Sequence, residues 1–167
     1  IENLHKFGLP VVLAVNKFIT DTDAEIKLVK DLAEKAGSQA ILCEGWANGG
    51  KGTIELAEKV VEMCQEESQF KNIYPLEMPL VEKIETLAKE IYRASSVEFD
   101  SKALKKLKKY TEDGYGNLPI CMAKTQNSIS HDKSMLASPS NYAFPIRDVQ
   151  LFSGAGFIVA FAGDMVD

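Results

Sequence analysis

Sulfur and imidazole are scarce in this chain. Its three cysteines, Cys43, Cys64 and Cys121, are far apart and odd in number, and there are only two histidines. A disulfide framework needs pairs, and a structural zinc site needs clustered thiols or imidazoles, so the pattern fits reduced thiols in the cytoplasm far better than either. No apolar run approaches the roughly 18 residues of a membrane helix, and no secretory-signal pattern is present. A large charge of one sign is missing too. A net charge of −5 over 167 residues argues against a broad surface for nucleic acid or anionic membrane. There is no tandem repeat, no low-complexity tract and no initiator Met. Ile1 opens inside what reads as a helix end, so a fragment is expected.

What is present is ordinary for a globular protein: 46% hydrophobic and 26% charged residues. A chain of this length can bury about 70% of its unfolded surface and needs no staples. PVVLAVN, Pro10 to Asn16, is a short continuous apolar run rich in Val, the pattern of a strand buried on both faces. Thr22-Asp23-Ala24-Glu25 has capping-box spacing, and apolar residues at 24, 28, 29, 32, 33 and 36 make one helical stripe that Gly37 stops. Ala40 to Cys43 reads as a second buried strand. Ile54, Ala57, Val60, Val61 and Cys64 form a further helical stripe. Strand, helix, strand, helix with short turns predicts a parallel sheet covered by helices. After a polar connection over Gln65–Pro79, Leu80, Ile84, Leu87, Ala88 and Ile91 predict an amphipathic helix. Another follows over Lys102–Thr111, capped by Asp100 or Ser101. Strands are expected at Ile120–Lys124, Ala143–Phe152 and Phe157–Ala162.

The segment EGWANGGKGTIELAEK, Glu44 to Lys59, imitates a phosphate loop. Gly45, Gly50 and Lys51 have the spacing of G-x-x-x-x-G-K-[ST], but the place that needs a hydroxyl for magnesium holds Gly52, and Thr53 comes one residue late. Tight packing at a helix start explains the glycines better than an independent ATP site. Trp46 reads either as core or as a ligand contact on a loop at the end of a parallel strand. Asn16-Lys17 ends a buried strand, where such sheets present ligand groups; the next acid, Asp21, is too late for a guanine-reading motif. His131 has no partner spacing for a triad and reads as a polar loop residue. The five lysines in Lys102–Lys109 read as a solvated helix face, and SGAGF, 153–157, as a turn.

Several stretches taken together resemble formate–tetrahydrofolate ligase. They are NKFITDTDAEI (Asn16–Ile26), WANGGKG (Trp46–Gly52), EKIETLAKEIY (Glu82–Tyr92), GNLPICMAKTQNSISHD (Gly116–Asp132) and SGAGFIV (Ser153–Val159). The resemblance runs the length of the chain in the right order. It implies ligation of formate to tetrahydrofolate with ATP through formyl phosphate, giving 10-formyltetrahydrofolate. It also implies that the true phosphate loop lies in an N-terminal portion absent here, so that the loop at Gly45 is a decoy and no catalytic group lies in this portion. The family's pterin clamp falls on Phe18 and Trp46. Asn16, Lys17 and Cys43, at the turn after Leu42, are weaker candidates for the adenine end of the nucleotide. Glycines 49, 50 and 52 are expected to let the backbone approach the ligand. The chain departs from the family at Arg93, where Gly is usual, and over Ala137–Phe144.

The fold implied is α/β: the end of a P-loop-NTPase-like parallel sheet domain over residues 1–70, carrying the folate clamp, then a smaller, incomplete α/β region over 71–167. The co-substrate is ATP with magnesium, a monovalent cation is a further possibility, and no metal ligand is assigned. The expected partners are formate, ATP, tetrahydrofolate, the missing N-terminal portion and further copies in a homo-oligomer. The isolated fragment is expected to be inactive. The rival reading is a truncated or split homologue acting as a non-enzymatic module that binds folate or a partner protein.

Overall fold

The computed structural model describes residues 1–163 and is a mixed α/β structure. It divides into two compact units, one over Ile1–Asn72 and the other from Ile73 onward.

In the first unit, a single helical turn α1 (Glu2–His5) leads to strand β1 (Val12–Asn16). Helix α2 (Asp23–Lys35) begins at the expected capping box: the Glu25 amide donates to Thr22 Oγ1 at 3.3 Å, and the Thr22 amide donates to Glu25 Oε2 at 2.9 Å. Two otherwise orphaned helix donors are thereby satisfied. The chain leaves α2 through Gly37, whose φ of 78° is the left-handed value that glycine takes without steric cost. Strand β2 (Gln39–Cys43) then pairs parallel to β1, with Val12 opposite Gln39 and Asn16 opposite Cys43. A short α3 (Gly45–Asn48), a 3₁₀ turn over Gly49–Thr53 and helix α4 (Ile54–Met63) complete the unit. Its sheet has two strands, and among the described residues only Ala33 and Ile41 are fully buried apolar side chains.

The second unit has a core of its own. Helix α5 (Leu80–Glu90) buries Leu80, Ile84 and Ala88 on one stripe, and helix α6 (Ser101–Tyr110), capped by Asp100 through the Lys102 amide, buries Ala103 and Leu107. They cover strands β3 (Ser96–Phe99), β4 (Ile120–Ala123), β5 (Ala143–Ile146), β6 (Asp148–Phe152) and β7 (Phe157–Phe161). β3 pairs parallel with β5; β7 lies between β4, parallel, and β6, antiparallel. Lys83 is wholly buried, yet its Nζ donates to the carbonyls of Gly116 and Leu118 at 2.8 and 2.9 Å. Burial lowers its pKa, opposed by Glu77.

Two expectations need correction here. The single strand expected over 143–152 is two strands in two sheets, because the chain changes partner at Arg147, whose amide donates to the Phe161 carbonyl. Strand β3 was not anticipated: it is four residues long and alternates Ser96 and Glu98 with the half-buried Val97 and Phe99. Arg93 takes the left-handed φ of 58°, a conformation that favours glycine, and its guanidinium donates to Ser138 Oγ at 2.7 Å.

Candidate functional site

Two loops leave the C-terminal ends of β1 and β2. Their bases are adjacent because the strands are paired to the last residue, Asn16 against Cys43, and the Lys17 amide adds one more rung by donating to the Cys43 carbonyl at 3.0 Å. In the first loop Phe18 is locked to Asp21. The Phe18 amide donates to Asp21 Oδ2 at 2.8 Å, and the Asp21 amide returns to the Phe18 carbonyl at 3.1 Å. The acid that came too late to read a base therefore has a local task, holding the turn. Phe18 is 66% exposed and its neighbour Ile19 97%.

The second loop coils instead of cradling an anion. The amides of Ala47 and Asn48 both donate to the Glu44 carbonyl, the Glu44 amide donates to the Gly52 carbonyl at 3.0 Å, and Thr53 Oγ1 donates to the Gly50 carbonyl at 3.0 Å. These amides are spent within the loop, and so is the hydroxyl that came one residue late. A Cβ on Gly52 would lie 2.4 Å from the Glu44 oxygen, so the position that a phosphate loop fills with Ser or Thr must be glycine here. Gly49 is needed for its φ of 57°, whereas Gly50 faces open space. Of the three glycines expected to admit a ligand, Gly52 serves the loop's own closure. Trp46, on α3, is 91% exposed and is not core.

Among the described residues no ring contact joins Phe18 to Trp46. They stand on neighbouring strand ends with their aromatic faces uncovered. Of the weaker candidates, Asn16 is exposed, Cys43 is a half-buried free thiol, and Lys17 Nζ is 3.3 Å from Glu44 Oε1. Sequence reasoning gave Asp21 and Glu44 no role; their hydrogen-bond partners lie across turns that only the fold closes.

The second unit holds a polar cavity of about 370 Å³ lined by Gln126, Asn127, His131, Lys133 and Arg147 among others. In the loop that carries these residues, Ser130 Oγ accepts from the Asp132 amide at 3.0 Å, and Ser130 and Ser128 are buried. Asp132 has its pKa lowered by the amide and hydroxyl of Ser134. His131 is not a free polar loop side chain. Its ring packs against Tyr142 and Phe144 at 5.8 and 5.9 Å, and its Nδ1 is buried without a hydrogen-bond partner. Among the described residues no group of three or more His, Cys, Asp or Glu side chains could hold a metal ion, and no helix is long and apolar enough to cross a membrane.

The family model described as formate–tetrahydrofolate ligase matches residues 1–167. Among curated relatives, the formate–tetrahydrofolate ligase of a Sphingobium species is 52% identical over 167 residues, covering 99% of this chain and 30% of its own length. Those of Rhizobium meliloti and Petrotoga mobilis are 49% and 51% identical, again with 30% of their lengths covered. The chain thus spans about 30% of the length of the relatives it matches.

Proposed function

Because the chain belongs to the formate–tetrahydrofolate ligase family, we propose that it supplies the pterin clamp of an enzyme that joins formate to tetrahydrofolate with ATP, through formyl phosphate, to give 10-formyltetrahydrofolate. The observation that carries this reading is the pair of uncovered aromatic side chains, Phe18 and Trp46, at the C-terminal ends of two adjacent parallel strands. A Trp left 91% exposed forgoes the burial that usually places it inside, and a flat heteroaromatic ring restores that burial and adds stacking of about 0.5–1.5 kcal/mol per face. Strand C-termini are also where open α/β sheets bind ligands.

In this reading β1, β2 and their helices, within residues 1–70, are the end of a P-loop-NTPase-like nucleotide-binding domain, and residues 71–167 are a smaller α/β region. Asn16 and Cys43 flank the adenine end of the nucleotide, whereas Lys17, the third candidate by position, is engaged by Glu44. The phosphates and their magnesium belong to the rest of the ligase, since the loop at Gly45 turns its Ala47 and Asn48 amides onto Glu44 and holds glycine where the hydroxyl is needed. ATP and formate supply formyl phosphate and ADP; the residues here hold the pterin flat while N10 of tetrahydrofolate, outside the ring, attacks the formyl carbon, loses its proton and releases phosphate. A monovalent cation and a homo-oligomer remain proposals of the family resemblance alone. The second reading, a non-enzymatic folate-binding module, draws on the same spent loop.

The test uses the only Trp in this chain. In the full-length ligase carrying this segment, tetrahydrofolate is expected to quench Trp46 emission. Trp46→Ala should weaken folate binding by about 1–3 kcal/mol, the range for removing one aromatic face from a flat base, with ATP affinity and thermal midpoint nearly unchanged. Phe18→Leu should lose less, because it keeps apolar area. Unaltered folate affinity in a folded Trp46→Ala enzyme would reject the clamp.

A further inference from the structure

The two proposed clamp rings have no core to hold them. Phe18 is 66% and Trp46 91% exposed, so their spacing is set by the bases of their loops. Those bases carry an ion pair: Lys17, one residue before Phe18, places Nζ 3.3 Å from Oε1 of Glu44, two residues before Trp46. We propose that Lys17 and Glu44 are a positioning pair that braces the two aromatic loops at the separation a pterin needs. The inference rests on the clamp reading above.

Three further contacts make a side-chain bridge at this point able to steer the rings. The Lys17 amide extends the sheet ladder to the Cys43 carbonyl, so the two backbones are already in register where the bridge forms. Phe18 is tied at both its amide and its carbonyl to Asp21, so it has little freedom to relax away from Lys17. Glu44 is tied to Gly52 through its amide and to the Ala47 and Asn48 amides through its carbonyl, so movement of Glu44 carries the turn bearing Trp46. Both charged side chains are about one-third exposed, at 35% and 40%, which makes the pair weak as a source of stability. Its value is geometric: a misplacement of a positioned ligand costs far more in binding or rate than it does in folding. This gives Lys17 a different task from the nucleotide contact its position suggests, and the two tasks are separable.

The experiment is a charge-exchange cycle in the full-length ligase that carries this segment: Lys17→Met, Glu44→Gln, both together, Lys17→Glu, Glu44→Lys, and the exchanged pair Lys17→Glu/Glu44→Lys. Each neutralising substitution is expected to raise the KM for tetrahydrofolate about three- to fivefold, the scale of one partly exposed ion pair. The double neutral variant should be no worse than the poorer single one, since both remove the same bridge. Single reversals should be worse, and the exchanged pair should recover most of the loss. The KM for ATP should stay within about twofold throughout. A purely structural role would instead lower the thermal midpoint and disturb both substrates alike. Additive losses, or an exchanged pair no better than the single reversals, would overturn the brace. A rise in the KM for ATP with Lys17→Met alone would overturn it in favour of a nucleotide contact. Trp46→Ala is the reference: if it leaves the tetrahydrofolate KM unchanged, the clamp itself fails, and the fault lies there and not in the bridge.

Discussion

Gly52 shows how one residue can carry two opposite readings. By spacing it is the broken position of a phosphate loop, one hydroxyl short of a magnesium site. In the fold it is a point of close approach, where a Cβ would sit 2.4 Å from the Glu44 oxygen, 2.5 Å from its carbon and 3.1 Å from Asn48 Cβ. Gly52→Ser, which completes the phosphate-loop pattern on paper, is therefore expected to destabilise the chain by about 1–3 kcal/mol, the cost of overpacking a tight contact. It should create no affinity for ATP with magnesium, because the Ala47 and Asn48 amides remain committed to Glu44. Urea unfolding and an ATP titration of the same variant check both halves; new nucleotide binding would revive the loop as a phosphate site. Local signals of this scale were legible where both partners lie within one turn of chain. Thr22 and Glu25 could be read as a capping box because they are three residues apart. The carbonyl that excludes a side chain from Gly52, and the strand neighbour that brings Glu44 to Lys17, lie across a closed turn and a crossover, beyond the reach of spacing.

The helices and strands were legible in proportion to their length and regularity. Helices α2, α4, α5 and α6 each bear an uninterrupted apolar stripe, β4 and β7 are continuous apolar runs, and β1 and β2 are such runs but for Asn16 and Gln39 at their ends. The failures were β3, too short to show its alternation, and the break at Arg147. That break is invisible in composition because apolar residues continue on both sides while the chain passes from β5 to β6. Just past it stands a tether. Asp148 accepts from Lys102 Nζ at 2.8 Å and pairs with Lys106 Nζ at 2.6 Å, fixing α6 to β6, and Lys106 also reaches the Val149 carbonyl. Burial alone would raise the carboxyl's pKa, but the two lysines and the Val149 amide outweigh it and bring it from 3.8 down to about 2. The folded state thus favours the carboxylate. This stability is present above pH 3.8 and is lost as pH falls through about 2. Asp148→Asn is expected to cost about 1–2 kcal/mol at neutral pH, after allowance for solvent screening of its partners. The difference from the parent chain should shrink over that acid window. Urea unfolding at a series of pH values measures it, and parallel pH profiles for the two proteins would show that the tether contributes nothing.

The two units differ most in how much each buries. From Ile73 onward, Leu80, Ile84, Phe144, Ile146, Val149 and Ile158 are almost wholly enclosed, and β7 has a neighbour on each side. In Ile1–Asn72 the sheet has two strands, and Leu28, Leu32, Ile54 and Val61, the stripes that predicted α2 and α4, are 58%, 54%, 53% and 61% exposed. The amphipathic pattern was read correctly as helix, but no element of the first unit covers these stripes. The chain spans about 30% of its relatives' length, and among the described residues the parallel pair β1-β2 has no further strand on either edge, where such sheets usually place one. A lone two-stranded ribbon is marginal in water, so local opening should be cheap in the first unit and expensive in the second. In hydrogen exchange on the 167-residue chain, amides of Val12–Asn16 and Gln39–Cys43 should exchange at least about 100-fold faster than those of Phe157–Phe161, a gap of roughly 3 kcal/mol in opening free energy. An apolar dye should bind the chain and be displaced from the same segment in the full-length ligase, where protection of β1 and β2 should rise towards that of β7. If β1 and β2 in the isolated chain were as protected as β7, with no dye bound, the first unit would be a finished domain and its bare apolar stripes would need another explanation.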